Sequence, residues 1–190
     1  MTPLRRSFFN QPVEQLAQAL IGKILVHRVG TVRHRARIVE TEAYVGPHDL
    51  ACHTSKGRTA RNEVMFGPPG HAYVYLIYGM YHMLNIVAGE PGSAVLIRAA
   101  EPLDGWTANL SGPGRLARGL GITLADNGVD VTGKRLFLLP SPTDHPRIVR
   151  GPRIGVDYAK HWKDEPLRFA DADSKAVSRP RPHLLHKSDK

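Results

Sequence analysis

The run Arg37-Ile38-Val39-Glu40-Thr41-Glu42-Ala43-Tyr44-Val45 constrains the fold most, because it is an extended segment that sets two carboxylates among β-branched and aromatic residues. Side chains alternate across a strand, so Ile38, Glu40, Glu42 and Tyr44 are expected on one face and Val39, Thr41, Ala43 and Val45 on the other. The second face can pack a core. The first sets an acid beside an aromatic ring, and two readings stay open for it: a solvated sheet face, or a site where one carboxylate activates something held on Tyr44. Lys23 to Val29 reads as a neighbouring strand, Gly30-Thr31 as a turn, and Val32 to Ala36 as its basic return leading into the carboxylate run. Ahead of them, Val13, Leu16, Ala17, Leu20 and Ile21 make one apolar stripe on a helix from about Pro12 to about Ile21, with Gly22 at its end.

From Gly46 to Gly70 the pattern turns to loop chemistry, and a loop of about 25 residues in a small chain is usually functional. Arg58 lies in it. His48, Asp49 and His53 have the donor types of a metal site, but spacing on a loop fixes no geometry, and no metal is assigned. The runs Ala72 to Tyr78 and Tyr81 to Val87 flank Gly79-Met80, which predicts a hairpin closed by a two-residue type II′ turn. Tyr73 should be cross-strand packing. Tyr78, Met80 and Tyr81 would sit at the tip, an awkward apolar cluster in water that suits a wedge between stacked bases.

Ser93 to Ala100 reads as a buried strand interrupted by Arg98, whose charge needs an anionic partner; Glu40 and Glu42 are the candidates. Ser111 to Leu120 looks like a short capped helix, where Arg115 could hold a phosphate or the glycines could be a simple cap. Asp126-Asn127-Gly128 reads as a turn, Leu136 to Leu139 as an apolar strand, Pro140 to Pro146 as a rigid loop, and Pro166 to Phe169 as a last core piece. Beyond Ala170 the chain becomes polar and basic, and mobility is expected there.

A chain of 190 residues suits one domain, and its formal charge of +9 points to a polyanionic partner rather than to a particular fold. Nucleic acid outranks a membrane, since no basic amphipathic helix or lipidation motif appears, and no apolar run reaches the roughly 18 residues of a spanning helix. A basic protein with no such partner is the plain alternative. Cys52 is the only cysteine, which excludes an intramolecular disulfide, a cysteine-based zinc site and a four-thiolate iron–sulfur cluster. A reducing, cytoplasmic setting is expected.

Several ordered blocks carry a resemblance. Arg37 to Val45, His53 with the loop after it, Met65-Phe66, the hairpin from Tyr73 to Asn85 and the strand ending Arg98-Ala99-Ala100-Glu101-Pro102-Leu103 resemble the alkyladenine (3-methyladenine) DNA glycosylase family. The likeness runs from about Leu4 to Phe169 and includes Ser111-Gly112-Pro113 and Pro166-Leu167-Arg168-Phe169. It implies an α+β single domain over residues 1–170, with a curved antiparallel or mixed sheet flanked by helices, as in the carboxyl-terminal domain of formyltransferases. Residues 171–190 would be a flexible tail. It also implies a monomer without cofactor that flips alkylated or deaminated purines out of double-stranded DNA, among them 3-methyladenine, 7-methylguanine, hypoxanthine and ethenoadenine. The N-glycosidic bond would be hydrolysed to leave an abasic site.

By motif, Glu42 is similar to the general base that activates water and Arg98 to the cation beside it. Tyr44, His53 and Tyr75 look like the walls around the flipped base, Asn85 like the residue that crowds the exocyclic amine of guanine, and Tyr78 like the side chain that fills the gap in the duplex. Met80 and Tyr81 would lean on the groove, with Arg58 and Arg115 as further DNA contacts. Pattern alone does not choose Glu42 over Glu40. Cys52, a slightly shorter 57–62 loop and the unmatched stretch after Phe169 depart from the family. No lysine sits in the motif blocks, so no Schiff-base nucleophile and no lyase step is expected. A non-catalytic nucleic-acid-binding module of the same fold is the alternative; a concave pocket holding Glu42, Arg98 and the rings together would favour the enzyme.

Overall fold

The computed structural model describes residues 1–141 and 145–181. The carboxylate run and its basic lead-in form one thirteen-residue strand, β2 (Val32–Tyr44), which returns antiparallel on β1 (Ile24–Val29) through the predicted Gly30-Thr31 turn. The other strands are β3 (Ala72–Ile77), β4 (Tyr81–Val87), β5 (Ala94–Pro102), β6 (Leu136–Leu139), β7 (Ile148–Gly151) and β8 (Arg168–Asp171). They make one curled antiparallel sheet in the order β3-β4-β5-β2-β1-β6, with β8 pairing both β2 and β7. Three helices flank it: the single turn α1 (Arg6–Phe9), α2 (Val13–Leu20) and α3 (Pro113–Leu120). The architecture is the expected α+β fold. The strand β7 carries too little apolar pattern to be read from sequence.

Simple alternation fails within β2. The register against β5 slips on either side of Glu40, which is a β-bulge. Ala36 and Ile38 before the bulge join the same main core as Ala43 after it, and the Thr41 hydroxyl donates to the Ala17 carbonyl of α2. Ile38 therefore shares the core side with Thr41 and Ala43, not with Glu40 and Glu42 as alternation predicts. Val39 packs on the opposite side with Ala99, Ala170 and Val177. The bulge also bends the strand, so that one edge pairs β1 over residues 32–37 and then β8 over residues 40–42.

The main core is where α2 seats Val13, Leu16, Ala17 and Leu20 against Ile38, Ile97 and Phe169 of the sheet. Each large side chain buried there contributes about 1.5–3 kcal/mol. The predicted stripe thus fixes α2 on the sheet, with Pro12 capping its start and Ile21 rather than Gly22 at its C-cap.

Three further expectations are corrected. The hairpin between β3 and β4 has three loop residues, Tyr78, Gly79 and Met80, because Ile77 pairs with Tyr81. Tyr78 and Gly79 have φ of +52° and +68°, the signature of a type I′ turn and not of type II′. The start of α3 has no side-chain cap, Gly112 standing at the N-cap with φ +124°. Finally, the chain after Ala170 does not leave the body at once: Asp171, Ser174, Val177 and Ser178 are buried. Residues 182–190 of the expected tail, and 142–144 of the expected Pro140–Pro146 loop, lie outside the described residues.

Candidate active site

Glu40 and Glu42 are both fully buried, so the solvated sheet face is excluded. Two buried acids survive only with matching cations, and Arg98 of β5 and Arg168 of β8 supply them, making a neutral quartet. Arg98 bridges the acids, its Nε donating to Glu40 Oε1 at 3.2 Å while its Nη1 lies 3.2 Å from Glu42 Oε2. Burial by itself would pull the Arg98 guanidinium down, but Glu42 and Glu40 hold it above its ordinary value.

The two acids differ in where their donors come from. Glu40 meets four donors: Arg98 Nε, Arg168 Nε at 2.6 Å, the Ser178 hydroxyl at 2.9 Å and the Ser178 backbone N–H at 2.7 Å. Glu42 meets three: the Ile154 backbone N–H at 2.8 Å, the Tyr44 hydroxyl at 3.0 Å and Arg98.

A cavity of about 430 Å³ lies beside the partners of Glu42, which does not itself line it. Tyr44, His53, Tyr73, Tyr75, Asn85 and Arg98 all line it, with Met65 and Met83. All three donors to Glu42 belong to its wall, so the acid stands directly behind that wall. The volume falls within the roughly 300–1,000 Å³ of small-molecule sites. The rings form a linked set: His53 meets Tyr75 edge-on with centroids 4.5 Å apart, and Tyr73 stands 5.3 Å from Tyr75. Tyr73 is core packing as expected, and its hydroxyl also reaches His53 Nδ1 at 2.8 Å. Asn85 is held by donation from Nδ2 to the Tyr73 carbonyl.

Burial sets the protonation of these walls. His53 is lowered to about 4 by burial and then by the Arg61 charge, so its ring is neutral around pH 7. Burial pushes Tyr73 up to about 12 and raises Tyr75, while Tyr44 is raised well above its ordinary value by burial and by Glu42. The lining is therefore neutral and aromatic, with a single cation, Arg98.

The hairpin tip stands free beside this cavity, Tyr78 being 83% exposed, Met80 66% and Tyr81 46%. A tyrosine with positive φ costs backbone energy that burial does not return here. Tyr78 borders the cavity, while Tyr81 packs against Gly114 of α3, where even one added methyl would meet its ring at 3.2 Å. Arg115, the next residue, is exposed. Arg58 lies farther along the 46–70 loop, its guanidinium over the Phe66 ring and paired with Glu63. The three residues with metal-donor types are not convergent: Asp49 is bound by Arg153, His53 by Tyr73, and His48 lies against Trp162.

The sequence matches the family model described as methylpurine-DNA glycosylase (MPG) over residues 7–175. The chain belongs to this family. It is 51% identical to a protein of Anaeromyxobacter dehalogenans (strain 2CP-C) over 94% of this chain and 88% of that one. It is 50% identical to one of Myxococcus xanthus over 96% of both chains, and 47% to one of Methanocella arvoryzae over 96% of this chain and 98% of the other. Each carries the name "Putative 3-methyladenine DNA glycosylase". The methylpurine-DNA glycosylase match also runs past Phe169, where the resemblance read from motifs stops.

In this member of the glycosylase family, several contributors had no readable signal. Ile154 acts through its backbone N–H, which any residue would supply. Arg153 lays its guanidinium 4.8 Å over the Tyr44 ring, fixed by Asp49 and by the Ala43 carbonyl, and so covers one face of that ring. Tyr158 borders the cavity mouth and donates to the Ala51 carbonyl. Ser178, in the stretch expected to be mobile, completes the shell of Glu40.

Proposed function

We propose that the protein flips a damaged purine out of duplex DNA into the 430 Å³ cavity and hydrolyses its N-glycosidic bond with water activated by Glu42. The observation that carries this reading is where the two acids sit: all three donors to Glu42 line the ring-lined cavity, whereas of the residues that donate to Glu40 only Arg98 does. A water in that cavity gives its proton to Glu42 as it attacks C1′, and the carboxylate offsets the positive charge of the oxocarbenium-like sugar. Arg98 keeps the carboxylate aimed. Attack from the face opposite the base inverts C1′.

Extruding a base costs a few kcal/mol, less for a damaged one. Tyr44, His53 and Tyr75 return roughly 1–3 kcal/mol per good stacking contact, and Tyr78 fills the gap left in the duplex. A cationic 3- or 7-alkylpurine gains about 0.5–2 kcal/mol more on neutral rings than a normal base does. Asn85 on the wall crowds the exocyclic amine of guanine. Neutral hypoxanthine or ethenoadenine requires protonation on leaving. Among the described residues none that lines the cavity is a lysine, which supports a monofunctional enzyme. The concave grouping of Glu42's partners favours this reading over a binding module.

The test is base release from duplexes carrying methylated adenine, hypoxanthine or ethenoadenine, wild type against Glu42→Gln. The variant should bind lesion DNA and lose about 10²–10⁴ of the release rate. Near-normal release would remove Glu42 from the mechanism, and borohydride trapping of the protein on DNA would remove the monofunctional assignment.

A further inference from the structure

A second cavity, of about 660 Å³, adjoins the first across Met83, Arg98 and Pro113, which line both. Its outer wall carries four exposed cations, Arg115, Lys175, Arg179 and Arg181. No carboxylate lines it, and among the described residues none of the four is within ion-pair distance of an acid. Some exposed arginines elsewhere are paired, Arg58 with Glu63 and Arg147 with Asp173, and among the described residues others such as Arg33 and Arg118 are not, so it is the gathering of four cations around one hollow that sets this place apart. Four unpaired like charges around one hollow repel one another, and an anion placed there relieves that cost.

The three cations that come after β8 sit on a segment that is pinned. Ser178 donates from its N–H and its hydroxyl to Glu40, and Arg168 donates from Nη2 to the Ser178 carbonyl at 3.1 Å and the Pro180 carbonyl at 2.8 Å. Val177 is buried with Val39, Ala99 and Ala170. With the backbone fixed at 177, 178 and 180, the side chains at 175, 179 and 181 are presented over the hollow at little entropic cost on binding.

We infer that residues 175–181 form a strap that binds backbone phosphates of the DNA strand next to the flipped nucleotide. This rests on the reading above that a nucleotide enters the first cavity. Its sugar-phosphate chain must leave the mouth on both sides, and the shared Met83–Arg98–Pro113 wall makes the basic hollow one of the two exits. Phosphodiesters suit it because cations that face no acid bind charge without reading sequence. The second buried acid thereby acquires a purpose: Glu42 faces the chemistry, and Glu40 anchors the strap.

Each phosphate neutralised by a side chain contributes about 0.9 to the slope of log K against log salt. The affinity of the full chain for a duplex holding a stable abasic-site analogue is measured from about 50 to 200 mM KCl, wild type against Arg179→Gln/Arg181→Gln. The double variant should lose about 1.8 from the slope while keeping the wild-type melting temperature, since both side chains are exposed. An unchanged slope in a variant that melts normally overturns the inference, and so does weaker binding with an unchanged slope. The abasic duplex needs no catalysis. A wild type that shows the slope but releases no base would defeat the proposed reaction and leave the strap, and base release with an unaltered slope would do the opposite.

Discussion

Replacing Glu40 by Gln separates the two buried acids by their partners. Glu40 takes four donors, and a glutamine has one acceptor oxygen with two lone pairs and an NH₂ that can only donate. With its oxygen toward Arg98, Arg168 and the Ser178 hydroxyl, the amide nitrogen faces the Ser178 N–H, donor against donor. The quartet also changes from neutral to a net positive charge, because Arg98 and Arg168 then share only Glu42. Breaking a buried pair costs about 3–5 kcal/mol. At about 2–4 °C per kcal/mol for a chain of this size, the melting temperature should fall by roughly 6–20 °C. Glu42→Gln can keep the Ile154 N–H and turn the Tyr44 hydroxyl to accept, while Arg98 keeps Glu40, so its loss should be smaller. Calorimetry and single-turnover base release, both at a temperature where each variant is folded, should therefore rank the variants in opposite orders. A Glu40→Gln protein that melts within about 2 °C of wild type would refute the buried-pair argument. One that loses release as completely as Glu42→Gln would overturn the choice of Glu42 as the base.

Tyr78→Ala removes an exposed ring and should leave stability within about 0.5 kcal/mol, yet weaken binding to a lesion duplex by about 1–3 kcal/mol, five- to 150-fold; unchanged affinity in a fluorescence titration would end its role as a wedge. The His53 ring should titrate near 4 by NMR, not near 6.5. Because the folded state resists that proton, its share of stability is full above pH 6.5 and is lost as the pH falls toward 4; a titration midpoint near 6.5 would contradict the buried site. Arg153→Met leaves the buried Asp49 with only the Val45 and Ala51 N–H donors and no cation, and should cost about 3–5 kcal/mol, whereas Arg153→Met with Asp49→Asn should recover part of it in chemical denaturation. Additive losses would show that the pair is not coupled.

Elements whose signal is local were legible. The α2 stripe, the β1–β2 turn, the β3–β4 hairpin and the buried run around Arg98 follow from period, turn chemistry and the cost of an unpaired charge, and each is observed near its predicted bounds. The pairing of Arg98 with Glu40 and Glu42 was anticipated by elimination, since a charge inside β5 must be answered. The bulge at Glu40 was not legible, because an extra residue in a strand leaves no mark on composition, yet it moves Ile38 to the core side with Thr41 and Ala43.

Sequence alone determined which chemistries were available: one buried cation, two acids to meet it, a set of rings, an apolar hairpin tip and an excess of positive charge. Only the tertiary structure distinguishes the surroundings of the two acids. That difference depends on donors brought from far along the chain, Ile154 for Glu42, and Arg168 and Ser178 for Glu40. It also decided that the polar stretch after Ala170 is partly a built component, because a weakly apolar segment orders when a buried carboxylate needs its N–H groups. Hydrogen-bond supply around a buried charge is a property of the packed fold, and no local pattern encodes it.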